Sequence, residues 1–166
     1  MWNKVVSKKK KAFLCVVSGP SGSGKTTLCE KLIQHDKLNI ARSVSFTTRS
    51  LRRGEKSKRD YFFISRQEFR KKIKAGDFLE WKEVFGNLYG TSKRKVRSLL
   101  KKNKDVLLCI DVQGALEIMH KFSKQAISIF VVPPNEKELE RRTKLRDREK
   151  GRELKKRLDF VKTELS

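Results

Sequence analysis

The chain has 166 residues, enough for one domain with a hydrophobic core and too few for two independent ones. Its formal net charge of +23 points to polyanionic partners without separating nucleic acid, anionic membrane and small phosphate ligands. Three cysteines (Cys15, Cys29 and Cys109) with no C-x-x-C pairing argue against a disulfide framework or a zinc site.

Lys8–Lys11 ends a polar N-terminal arm. Ala12–Val17 is short, continuous and apolar, and Ser18-Gly19-Pro20 punctuates it, so it reads as a buried strand. It is too short for a secretory segment or a membrane span, and the chain reads as cytoplasmic with no membrane partner. After Gly24 a helix is predicted, with Leu28, Leu32 and Ile33 on one face. Ser43–Thr48 carries β-branched residues and Phe46, reads as a second strand, and runs into a basic loop around Gly54. Tyr61–Ile64 looks like a short strand, and Phe69 and Ile73 mark a small helix. Gly76, Gly86 and Gly90 then break up the chain, which suggests an inserted, ligand-facing subdomain rather than another βα unit.

Val106–Ile110 reads as a third core strand, followed by Asp111 and a helix from about Gly114. Ile127–Val132 is a fourth, stopped by Pro133-Pro134. The remainder reads as helical, with Leu154, Leu158, Val161 and Leu165 forming a narrow apolar stripe. Strands alternating with helices imply an α/β fold, a mostly parallel sheet covered on both faces. Cys15 and Cys109 fall inside apolar strands and read as core residues. The basic residues are scattered over Lys8–Lys11, Arg52–Arg59, Lys93–Arg97, Lys101–Lys104 and Arg141–Arg157, so most read as a solvated surface.

Gly19-Pro20-Ser21-Gly22-Ser23-Gly24-Lys25-Thr26 matches G-x-x-x-x-G-K-[ST] between a strand and a helix, the context this ATP-phosphate motif requires. Glycines let backbone N–H groups curl round a phosphate, and the helix points its positive end at the same anion. Lys25 supplies a point charge between the β- and γ-phosphates, and the Thr26 hydroxyl suits Mg²⁺, with Asp111 near the metal, directly or through water. A GTPase would carry N-K-x-D after a late strand. Asn103-Lys104-Asp105 has the wrong spacing and precedes a strand.

Further stretches join the loop in one order. They are Gly19–Thr27, Ser45–Arg49 with Arg52 and Gly54-Glu55, Asp60-Tyr61, Gly76–Trp81, Phe85–Ser92 and Ile110–Ala115. With these the sequence resembles the guanylate kinase family from about Phe13 to Glu164. The resemblance implies a P-loop kinase sheet flanked by helices, with an inserted GMP-binding subdomain and a helical lid. It would form one domain over 1–166, with core 12–44 and 104–134, insertion 45–92 and lid region 135–157. The implied reaction moves a phosphoryl group from ATP to GMP or dGMP, giving ADP and GDP, in purine metabolism.

The same resemblance adds Thr27 to the ATP loop and makes Arg49 and Arg52 the clamp on the GMP phosphate, with Tyr61 and Tyr89 donating to it. Glu80 becomes the guanine reader, its two acceptors matching N1–H and N2–H₂. Ser45, Thr91 and Asp111 are similar to smaller contacts to the base, and Arg142, Arg146 and Arg157 to lid and clamp arginines.

Two departures stand out. Cys109 occupies a position where the family usually has a second acid, and the family's last strand and helix are expected to be absent after Ser166. That would leave Ile127–Val132 as an open edge, or one covered in a homodimer. Two rival readings are a non-catalytic guanylate-kinase-like interaction module and a basic nucleic-acid-binding protein. The intact Lys25-Thr26 argues against the first; the lack of an RNA-binding signature or aromatic platform argues against a dedicated nucleic-acid partner.

Overall fold

A computed structural model describes residues 11–35 and 37–147. The first strand, β1 (Leu14–Ser18), is buried along its whole length. It is central in a four-stranded sheet with β2 (Ile40–Arg42), β7 (Asp105–Cys109) and β8 (Ala126–Phe130), ordered β2-β7-β1-β8. Every pairing in this sheet is parallel. A central parallel strand is covered on both faces, which is why β1 reads as a continuous apolar run and not an alternating one.

One face packs Leu14, Val16, Val106 and Leu108 against Ala115 and Ile118 of α4 (Val112–Lys121). The other packs Cys15, Val17 and Leu107 against Cys29 of α1 (Lys25–Ile33), with Leu28 and Leu32 at the margin. Ile33, expected on the buried face of α1, is exposed. Fully buried aliphatic side chains such as Leu14 and Val16 each contribute about 1.5–3 kcal/mol.

The stretch 45–92 forms a second sheet of β4 (Phe62–Phe63), β3 (Phe46–Thr47), β6 (Asn87–Ser92) and β5 (Phe78–Val84), in that order. Beneath it lies α2 (Arg66–Lys74), whose Ser65 and Glu68 make a reciprocal capping box and whose Phe69 is fully buried. Phe69 stacks on Phe78 at 4.5 Å between ring centroids. Gly90 lies within β6 instead of interrupting the chain, because a Cβ there would come within 2.9–3.0 Å of these two rings. Gly76 and Gly86 do mark turns, both with positive φ.

Ser43–Thr48 is only in part a strand. Its Phe46-Thr47 belongs to the second sheet, while the core strand is the preceding Ile40–Arg42, which the sequence reading missed. Its apolar content is too thin to stand out, and its three residues are all half-buried. The hairpin β5–β6 and the helix α3 (Lys93–Lys101) were likewise not anticipated.

β5 ties the two sheets together. Leu79 enters the main core, Lys121 donates to the Leu79 carbonyl at 3.2 Å, and Lys82 pairs with Glu117 at 3.1 Å. After β8 comes α5 (Glu136–Asp147). Among the described residues β8 pairs only with β1, and Ile127, Ile129 and Phe130 stay exposed. Lys8–Lys10 and the stripe of Leu154, Leu158, Val161 and Leu165 lie outside the described residues.

Candidate active site

β1 ends at Ser18, and the chain turns sharply before α1. Gly19 takes φ +134°, and a Cβ on it would collide with the Val131 carbonyl as β8 leaves the sheet. Gly22 and Gly24 also have positive φ, at 89° and 101°. Gly24 caps α1 without a side-chain hydrogen bond to the helix, so the first-turn amides face the loop and suit an anion. Lys25 Nζ donates to the carbonyls of Gly19 and Pro20, at 2.5 and 2.7 Å, which holds the ammonium over the loop.

One cleft of about 800 Å³ runs from this loop to the second sheet. Gly19, Ser21, Gly22, Gly24, Lys25, Thr26 and Thr27 line its loop end, while Pro20 and Ser23 are packed behind them. Ser45, Arg49, Arg52, Tyr61, Glu80 and Tyr89 line the other end. Asp111, just past β7, lines the middle; its Oδ1 accepts from the Gly114 amide at 2.9 Å and caps α4. That bond moves the start of α4 to Val112, ahead of the expected Gly114.

The arginine end is preset. Arg49 makes a two-pronged pair with Glu55 at 2.7 and 3.0 Å, and Glu55 also accepts the Arg52 amide at 2.8 Å. These bonds hold the Glu55 carboxyl below its ordinary range despite burial, and raise Arg49 further. The Arg49 guanidinium carbon lies 5.5 Å from the Tyr61 ring centre, and the Tyr61 and Tyr89 rings meet edge-on at 5.9 Å. Two cations and two phenols therefore converge on one place.

Glu80 sits on β5 with 3% of its surface exposed. Burial, with Asp111 and Glu117 nearby, pushes its carboxyl up to about 7, against the opposing pull of a Thr91 hydrogen bond and Lys82. Thr91 is fully buried behind the cleft wall, 3.5 Å from the Ser45 hydroxyl. A buried carboxylate on the same cleft as Arg49 and Arg52 can accept from a base's N–H pair while the arginines hold its phosphate.

From α5, Arg142 reaches over the loop. Its Nε is held by Glu138 at 2.7 Å, and its Nη1 lies 3.7 Å from where a Gly24 Cβ would stand. Arg146 lies in α5 by its backbone, but its side chain, like the whole of Arg157, is outside the described residues.

A family model described as guanylate kinase matches residues 11–166. The chain belongs to the guanylate kinase family. It is 43% identical over 159 residues to the guanylate kinase of Malacoplasma penetrans, spanning 95% of this chain and 81% of that protein. It is 49% identical to that of Clostridium tetani, over 80% of this chain and 62% of that protein. The crystal structure of guanylate kinase from Anaplasma phagocytophilum superposes with a TM-score of 0.72 at 36% identity, covering 93% of this chain and 71% of that one.

Within this guanylate kinase fold the cleft holds residues that sequence reasoning gave no role. Arg42, on the unpredicted β2, adds a cation, and Glu55 orients the arginines. Glu55 had a signal, since it stood inside a motif of the resemblance; Arg42 had none. Cys109 is half-buried: it packs at the margin of the core that holds Cys29 and also lines the cleft, because it ends β7 where the strand opens towards the loop. None of the three cysteines forms a disulfide among the described residues. No helix among the described residues is long and apolar enough to cross a membrane.

Proposed function

We propose that this chain transfers the γ-phosphoryl group of ATP to GMP, giving ADP and GDP, as a single guanylate-kinase-like domain over 1–166. What supports the reading most is one cleft with an ATP-phosphate loop at one end and an arginine-tyrosine-carboxylate pocket at the other. Family membership supports it independently.

Phosphoryl transfer of this kind needs positioning and charge neutralisation more than covalent help. The GMP phosphate is already an ionised nucleophile, so no general base is needed. The loop amides with Gly19–Thr27 and Lys25 hold the donor phosphates, and Arg142 covers them from α5. Arg49, Arg52, Tyr61 and Tyr89 seat the acceptor phosphate, and Glu80 with Ser45, Thr91 and Asp111 reads guanine. Arg146 and Arg157 complete the lid in this reading, over 135–157.

Thr26 and Asp111 are hard oxygen donors on the same cleft, and such a sparse protein set fits Mg²⁺ held chiefly by nucleotide phosphates and water. When bound, Mg²⁺ would offset charge on the β- and γ-phosphates. The work would be cytoplasmic purine metabolism, with dGMP a second acceptor.

A coupled assay for ADP with ATP and each nucleoside monophosphate tests this. GMP should support turnover, and AMP, CMP and UMP should fall short by roughly 10⁴-fold or more. ADP release that ignores which monophosphate is present, or none with GMP, defeats the reading. Tight GMP binding without ADP would point instead to a non-catalytic interaction module.

A further inference from the structure

Gly114 is the third residue of α4, has no positive φ, and stands where alanine would favour the helix more. Backbone conformation does not demand glycine there. Space does: a Cβ at this position would lie 2.9 Å from Glu80 Oε2 and 3.3 Å from Glu80 Cδ. The next nearest atom outside the helix backbone, Ile110 Cδ1, is at an ordinary 3.5 Å. The missing side chain thus forms the recess that receives the Glu80 carboxylate.

That carboxylate can be displaced chiefly towards the cleft, the side a base would occupy. Glu80 is 3% exposed, the fully buried Thr91 hydrogen-bonds to it, and the negative charge of Asp111 is close by. Contact at 2.9 Å instead of about 3.4 Å would displace it by several tenths of an ångström. Recognition geometry tolerates about 0.5 Å.

We infer that Gly114 is a specificity-positioning residue, fixing the Glu80 carboxylate where it accepts from the N1–H and 2-amino group of a guanine base. The inference rests on the proposed GMP-binding role of this pocket. The Gly114 amide that donates to the capping Asp111 carboxylate is backbone and survives in Gly114→Ala, so this substitution isolates the steric effect.

The test is calorimetric affinity of wild type and Gly114→Ala for GMP, inosine monophosphate (which lacks the 2-amino donor) and ATP, with thermal melting alongside. GMP affinity should fall at least tenfold and the preference for GMP over inosine monophosphate should shrink. ATP affinity should stay within twofold, and the melting temperature should not drop. In a Glu80→Gln background the same substitution should cost less than twofold in GMP affinity, since it acts through that carboxylate. GMP affinity within twofold of wild type in Gly114→Ala overturns the inference. So does equal weakening of GMP and ATP with a lowered melting temperature. A wild-type chain that binds ATP but not GMP defeats the functional reading itself.

Discussion

Above about pH 7 the Glu80 side chain is mostly ionised where only 3% of its surface meets solvent, beside a second acid at Asp111. Between its ordinary 4.5 and about 7 the folded chain holds a proton that the unfolded chain has released, so this group makes stability fall across that window. Glu80→Gln should therefore be more stable than wild type by about 2–3 kcal/mol at pH 8, with the gap closing towards pH 4, measured by urea denaturation. No gain at pH 8 would mean the carboxylate is better solvated than its burial implies. The same group sets a pH dependence of binding. The GMP phosphate takes up a proton near pH 6 in its own right, so Glu80→Gln serves as the reference. The ratio of wild-type to variant GMP affinity should be level above pH 8 and drop about tenfold per unit below 7. A ratio constant from pH 8 to 5.5 would exclude an ionised Glu80 as the reader. At the other end of the cleft, Lys25→Ala should lose about 3–4 kcal/mol of transition-state stabilisation, roughly 10²–10³ in kcat, with the fold retained by circular dichroism.

The second sheet depends on close packing where β6 crosses two aromatic rings. Gly90→Ala would push its Cβ against Phe69 and Phe78, at 2.9–3.0 Å, and should cost about 1–3 kcal/mol in urea denaturation. An unchanged midpoint would show that the rings can shift freely. This element also marks where the sequence stops being legible. β1 and β7 could be read because buried parallel strands are continuous apolar runs bounded by Gly or Asp, and the more exposed β8 because Ile127, Ile129 and Phe130 run up to Pro133-Pro134. The phosphate loop could be read because its glycines and lysine answer to chemistry at fixed spacing. β2 and β3 are three and two residues long, and their pairing is decided by distant partners, β7 for one and β6 and β4 for the other. Gly90 looked like a break because its reason is a contact with rings twelve and twenty-one positions away in sequence. The residues proposed to seat GMP came from the family's motifs. The support around them, Glu55 on Arg49 and Gly114 under Glu80, needed the geometry.

Over the whole molecule, the +23 charge divides between a cleft and an outer surface. Lys25, Arg42, Arg49, Arg52 and Arg142 face the cleft, where they would neutralise two polyanions, and most other cations among the described residues are exposed. Binding of RNA or DNA by that surface would weaken steeply with salt. Preference for one monophosphate rests on buried hydrogen bonds and should persist from 50 to 200 mM salt. If donor and acceptor sites share one cleft, a single ligand can address both. Adenosine and guanosine joined through five phosphates, one more than ATP and GMP carry together, would span the phosphate loop and the Arg49–Glu80 pocket. Calorimetry should find one such molecule per chain, bound at least 10²-fold more tightly than ATP or GMP alone. Lys25→Ala and Glu80→Gln should each weaken it. Affinity no better than that of ATP, and indifferent to Glu80→Gln, would contradict the account.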